Sequence, residues 1–106
     1  MNEKMLGTCR YFLTYTGVKL PFTLLNELEA DQLKNRITFF HGYYDEQGRL
    51  VGLQKMVYGE IEMEHRYQYD DAGVLRRAAI TDIDGETMEL AFDEKGVAVR
   101  GDQFPT

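Results

Sequence analysis

From Glu60 to Tyr69 polar and apolar residues alternate without a break. Ile61, Met63, His65, Tyr67 and Tyr69 fall on one side, and Glu60, Glu62, Glu64, Arg66 and Gln68 on the other. A period of two held over ten residues is that of a half-buried strand, because successive side chains of extended backbone point to opposite faces. Thr87 to Phe92 repeats the pattern with Met88, Leu90 and Phe92 inward, and Val74 to Thr81 does so less cleanly. Arg36 to Tyr44 is aromatic and β-branched, which predicts another strand. Thr8 to Thr16 reads as a strand ending at Gly17, with Val18 to Leu25 as its partner, interrupted at Pro21. Asn26 to Lys34 breaks the alternation. It reads either as one or two helical turns, capped by Asn26 with Leu28 and Leu33 inward, or as a polar loop.

Between the strands lie recurrent turn signals. Tyr44-Asp45-Glu46-Gln47-Gly48-Arg49-Leu50 returns as Tyr69-Asp70-Asp71-Ala72-Gly73-Val74-Leu75, and more weakly as Phe92-Asp93-Glu94-Lys95-Gly96-Val97-Ala98. The glycines are 25 and then 23 residues apart. In Asp-x-x-Gly the aspartate accepts bonds from backbone two residues on, and glycine takes a positive φ without steric cost. Tyr58-Gly59-Glu60 and Asp84-Gly85-Glu86 sit between these copies and read as turns of a second kind. Asp45, Gly48, Gly59, Asp70, Gly73, Gly85 and Gly96 are therefore structural turn positions. The expected architecture is mainly β: one antiparallel meander of about six to eight strands, curled or half-barrel, with a short N-terminal helix or loop. It forms a single domain over 1–106, divided into an N-terminal hairpin with helix or loop (1–35) and hairpin repeats (36–103).

Composition narrows the function classes. Eighteen acids against twelve lysines and arginines give a net charge of −6. Residues 1–40 hold five bases and four acids, net +1, while residues 41–106 hold seven bases and fourteen acids, net −7. Nucleic-acid backbones and anionic membranes need clustered positive charge, so neither is expected as a partner. Met1 to Gly7 lacks the apolar core of a signal peptide, and no run approaches the roughly 18 apolar residues of a membrane span. Cys9 is the only cysteine, which excludes an internal disulfide and points to the cytoplasm.

The arrangement Gly59, Tyr67-Gln68-Tyr69-Asp70-Asp71-Ala72-Gly73-Val74-Leu75 and Asp84-Gly85-Glu86 resembles the tyrosine-aspartate (YD) repeats of Rhs and teneurin-type proteins, over about residues 41 to 100. The chain is also similar to short bacterial proteins of uncharacterised function. The resemblance implies strips of antiparallel hairpins, with Tyr44 and Tyr69 packing beside turns made by Gly48 and Gly73. The closed shells of that family do not carry over, because fewer than three copies are present.

Each candidate chemistry meets a plainer reading. Cys9 with His41 or His65 lacks the spacing and the orienting group of a nucleophile and base, so Cys9 reads as structural. His41, His65, Glu62 and Glu64 do not make a zinc set, since Glu64 and His65 are neighbours on a strand and point apart. The acidic turns are too short for calcium loops. Glu60, Glu62 and Glu64 read as a solvated strand surface with Arg66 and Arg77 as partners, not as an acid/base pair. No metal and no cofactor are expected.

Phe39, Phe40, Tyr43, Tyr44, Tyr58, Tyr67 and Tyr69 either fill a core beneath an N-terminal lid or present a contact patch. The resulting expectation is a non-enzymatic protein-binding module with Tyr58, Glu60, Glu62, Glu64, Arg66, Tyr67 and Tyr69 as its candidate binding face. Its partner would be another protein, basic in character, as in an immunity or antitoxin protein. The alternatives are a self-associating sheet, paired as a homodimer through edge strands, and a small ligand-binding or enzymatic half-barrel.

Overall fold

The computed structural model describes residues 7–17 and 20–99. Among these, eight strands form one sheet: β1 (Thr8–Thr16), β2 (Thr23–Leu28), β3 (Thr38–Tyr44), β4 (Leu50–Val57), β5 (Glu60–Tyr69), β6 (Leu75–Thr81), β7 (Thr87–Phe92) and β8 (Ala98–Val99). Their order is β2-β1-β3-β4-β5-β6-β7-β8, with every neighbouring pair antiparallel. The fold is thus a mainly β single sheet, not closed into a barrel. From β3 onward it is a meander, and β1 joins the first hairpin to it by pairing with β3.

β1 and β5 occupy the residues whose pattern predicts them. β2 begins at Thr23, later than expected. Val18 and Lys19 of that expected strand, residues 100–103 of the expected repeats and the leader positions 1–6 lie outside the described residues. Residues 26–34 also differ from expectation. β2 runs to Leu28, and Asn26 lies inside it in left-handed backbone (φ 63°) rather than capping a helix. A 3-10 helix follows over Ala30–Asn35. It starts at Glu29, whose N–H donates to Gln32 Oε1 at 2.6 Å while the Gln32 N–H donates to the Glu29 carbonyl at 2.9 Å. Asparagine suits caps and left-handed positions alike, because its short amide bonds locally to backbone. That double aptitude is why the residue type misplaces the helix start.

Four turns share one geometry: Asp45 to Gly48, Asp70 to Gly73, Asp82 to Gly85 and Asp93 to Gly96. In each, the Asp Oδ1 accepts the N–H groups two and four residues on at 2.8–3.0 Å. The glycine N–H donates to the Asp carbonyl, and the glycine φ lies between 80° and 85°. Asp82-Ile83-Asp84-Gly85 therefore belongs with the other three, a correction to its reading as a second kind of turn. Tyr58-Gly59 alone differs, as a two-residue hairpin turn with φ of 54° and 80°. Immediately after the first two Asp-x-x-Gly turns the register slips at equivalent places. Tyr44 faces Leu50 while Tyr43 faces Gly52, and Tyr69 faces Leu75 while Gln68 faces Arg77. Val51 and Arg76 are the extra residues of two matching bulges, which add twist beside each turn.

The core lies on one face of the sheet. Phe12, Leu24, Phe40, Leu50, Leu53, Tyr67, Leu75 and Ala78 form its buried cluster. Its cover comes from the first hairpin. The Phe22 ring sits 5.0 Å from the His65 ring of β5 and stacks on Tyr15 at 4.6 Å. The Phe22 N–H donates to the Tyr67 hydroxyl at 3.4 Å. β2 lies four strand spacings from β5, or about 19 Å along a flat sheet, so the hairpin end must curl back over the face to make these contacts. One row shows how far the cover extends. Gly42, Leu53, His65, Ile80 and Met88 are register partners from β3 to β7, and exposure rises from 0% at Leu53 and 2% at His65 to 49% at Met88. The lid ends over β5.

Gly42 makes room for that lid: a Cβ there would stand 2.5 Å from Leu24 Cδ1 and 3.1 Å from the Tyr44 ring. At Gly73 nothing lies within 4 Å, and only the positive φ resists a side chain. Gly42→Ala is expected to cost about 1–3 kcal/mol by overpacking, and Gly73→Ala about 1 kcal/mol by backbone strain. Urea denaturation in a Leu24→Ala background separates the two causes. Most of the Gly42→Ala cost should vanish there and the Gly73→Ala cost should remain.

Candidate functional site

The expected binding face divides in two. Tyr67 and Tyr69 point to the core side. Tyr67 is buried with its hydroxyl at 2.6 Å from His65 Nδ1, and the Tyr69 hydroxyl donates to the Leu50 carbonyl at 2.6 Å. Burial raises the pKa of both phenols, Tyr69 to about 12. Tyr67 is thus buried and Tyr69 half-buried on the core side. Glu64 and Arg66 lie on the opposite face, and Tyr58 stands at the β4–β5 turn, 77% exposed.

The opposite face carries an ordered polar row. Leu28, Tyr11, His41, Gln54, Glu64, Thr81 and Thr87 are successive register partners from β2 to β7. Glu64 Oε2 accepts Arg66 Nε at 2.8 Å, and its Oε1 accepts Gln54 Nε2 at 3.0 Å. Gln54 Oε1 therefore turns toward His41 Nδ1 at 3.0 Å and accepts a hydrogen bond from it. Tyr43 donates to the same oxygen at 3.3 Å. The rings of Tyr11, Phe39 and Tyr43 stand edge-on to His41.

Cys9 pairs with Tyr43 in the β1–β3 ladder. Its half-burial raises the thiol pKa, against a smaller lowering by its hydrogen bond to Tyr43. A thiol held protonated is a poor nucleophile. Among the described residues, no group of three or more His, Cys, Asp or Glu could hold a metal.

The sheet faces are close to charge-balanced. Glu62 pairs with Lys55 at 3.1 Å, Glu64 with Arg66 at 2.8 Å and Glu27 with Arg10 at 2.7 Å. Among the described residues, many acids without a salt bridge stand at the hairpin tips, as Glu46, Asp71 and Glu94 at one end of the sheet and Glu60, Asp84 and Glu86 at the other.

Sequence reasoning missed the corner where the lid stops. Met88 at the start of β7 and Ile83 in the β6–β7 turn are exposed at 49% and 67%, whereas Ile61, also exposed, is turned by the β4–β5 bulge to the opposite face beside Met56. Ile80 lies between Met88 and His65 in the same row. Three of the four Asp-x-x-Gly turns put an acid after the first aspartate, namely Glu46, Asp71 and Glu94, and only Asp82 is followed by an apolar residue. That signal was available in the sequence once Asp82 to Gly85 is recognised as a member of the set.

The chain belongs to a family of unknown function, DUF6156, which matches residues 4–101. This match, to a different family, corrects the resemblance to tyrosine-aspartate repeats. The physical reason is that Asp-x-x-Gly closes a hairpin wherever one occurs. Here its glycines recur at 25, 12 and 11 residues, not in a unit of fixed length. No curated protein and no solved structure matches the chain. No helix among the described residues is long and apolar enough to cross a membrane.

His65 generates a pH dependence. Desolvation lowers its pKa from 6.5 to about 4. The unfolded chain therefore binds the proton more readily, and stability is fullest above about pH 6.5 and falls as pH drops toward 4. The loss from this group is expected to reach about 3 kcal/mol. Asp45, Asp70 and Asp93 act lower down, because backbone N–H groups hold their pKa below the usual carboxylate range. Urea melts between pH 7 and pH 4 check this, and His65→Leu is expected to flatten the upper window alone.

Proposed function

We propose that this domain is a non-enzymatic protein-binding module whose contact surface is the corner formed by Ile80, Ile83 and Met88, with Tyr58 at its margin. The supporting observation is Ile83, an isoleucine 67% exposed at a hairpin tip whose three counterparts carry acids. Exposed apolar side chains grouped at one corner cost solubility unless something covers them. Glu60, Asp84 and Glu86 surround the corner on the β5–β7 side without ion-pair partners, which favours a basic partner with an apolar centre. An immunity-type role fits that chemistry, and a single half-buried thiol fits a reducing cytoplasm.

A second reading follows from the sheet edge. Among the described residues, β7 is paired on its outer side only at Ala91 and Phe92, so two copies could associate along Thr87 to Leu90. Light scattering over a range of concentrations separates this from the first reading.

The partner, once captured and purified, is expected to be basic. Ile83→Glu and Met88→Glu should weaken its binding by about tenfold or more, roughly 1.4 kcal/mol, with no change in thermal midpoint. Glu46→Gln, at the far end of the sheet, should leave affinity unchanged. Equal affinity for wild type and Ile83→Glu rejects the surface.

A further inference from the structure

We propose that His65 is the latch of an acid-triggered opening, in which the segment Leu20 to Phe22 lifts from the sheet and bares the apolar face beneath it. The hydrogen-bond chain at the latch has one direction. The Phe22 N–H approaches the Tyr67 oxygen at 3.4 Å, and the same oxygen lies 2.6 Å from His65 Nδ1. With its oxygen already accepting from Phe22, Tyr67 donates its hydroxyl hydrogen to Nδ1, and the ring proton of His65 resides on Nε2. A proton added at Nδ1 removes that acceptor. The phenol then faces two donors, its own hydrogen loses its partner, and a buried imidazolium is left without a counter-charge.

The surroundings offer no relief. His65 is 2% exposed and faces Leu53 on β4 and Ile80 on β6, with Met63 and Tyr67 beside it on β5 and the Phe22 ring above. Among the described residues the charged groups sharing this face are Lys55 on β4, paired with Glu62, Arg10 on β1, paired with Glu27, and Arg49 over the Tyr69 ring, paired with Asp45. Among the described residues, the phenols of Tyr15, Tyr44 and Tyr69 also stand on this face. The element that can yield is the lid. Its stretch before β2, Leu20 to Phe22, meets the sheet through a few side chains and one long hydrogen bond, whereas Thr23 and Leu24 are held in the β2–β1 ladder and β4 and β6 are held to β5 by theirs. Lifting it admits water to the imidazolium.

The test uses the full chain, followed by amide hydrogen exchange and by the His65 ring signal in NMR from pH 7 to pH 4. The opening equilibrium is expected to rise by up to about tenfold per pH unit as the ring titrates. Protection at the Phe22 amide should fall in step with it, while the Leu53 and Ala78 amides keep theirs. In His65→Leu the loss at Phe22 should disappear. Three results overturn the proposal: protection falling together at Phe22, Leu53 and Ala78; protection at Phe22 surviving full titration of the ring; or an unchanged midpoint in His65→Leu. Should that variant not fold, the wild-type comparison of Phe22 with Leu53 and Ala78 decides alone.

Discussion

A single sheet has two faces, and one must be kept from water by something other than a second sheet. In this chain the cover is the first hairpin curled over β3 to β5, with Phe22 and Leu24 as the residues that fill it. Much else follows from that constraint. Gly42 lacks a side chain because Leu24 occupies the space. His65 and Tyr67 are desolvated because Phe22 lies on them, so they must satisfy each other. The gradient from Leu53 to Met88 marks where the lid runs out.

Charge is arranged around the same constraint. The face opposite the lid is polar yet almost neutral, its Glu64 tied to Arg66, with His41 and Gln54 completing a cross-strand chain. Such a face tolerates water without attracting a highly charged partner. The acid excess is carried outward to the tips, where Asp45, Asp70, Asp82 and Asp93 spend their charge on backbone N–H groups and their neighbours face solvent. The two ends of the sheet consequently differ. One shows Glu46, Asp71 and Glu94, and the other mixes Asp84 and Glu86 with Ile83 and Tyr58.

Local periodicity made much of this fold legible. Alternation located β5 to the residue because both faces are sharply different in polarity there, and the Asp-Gly pairs located the turns because few residue types accept those backbone angles. Long-range placement was not legible. Nothing local distinguishes Pro21-Phe22 as a lid from the start of a strand, since the partners of Phe22 lie more than 40 residues away at His65 and Tyr67. The binding face suffered for the same reason. Alternation groups Tyr67 and Tyr69 correctly on one side, but only the hairpin above them decides that the side is interior. Met88, inward by pattern, is half exposed because the cover does not reach it.

The arginines that follow the turns have a consequence for chain length. Arg49 reaches the Asp70 carbonyl at 3.5 Å, and Arg76 donates to the Phe92 carbonyl at 2.9 Å and to Asp70 at 3.4 Å. Each hairpin thereby carries its own connector to the one that follows. Concatenating a further unit would call for no new kind of joint, and a chain built on this plan can lengthen or shorten by whole hairpins while its covered end stays as it is.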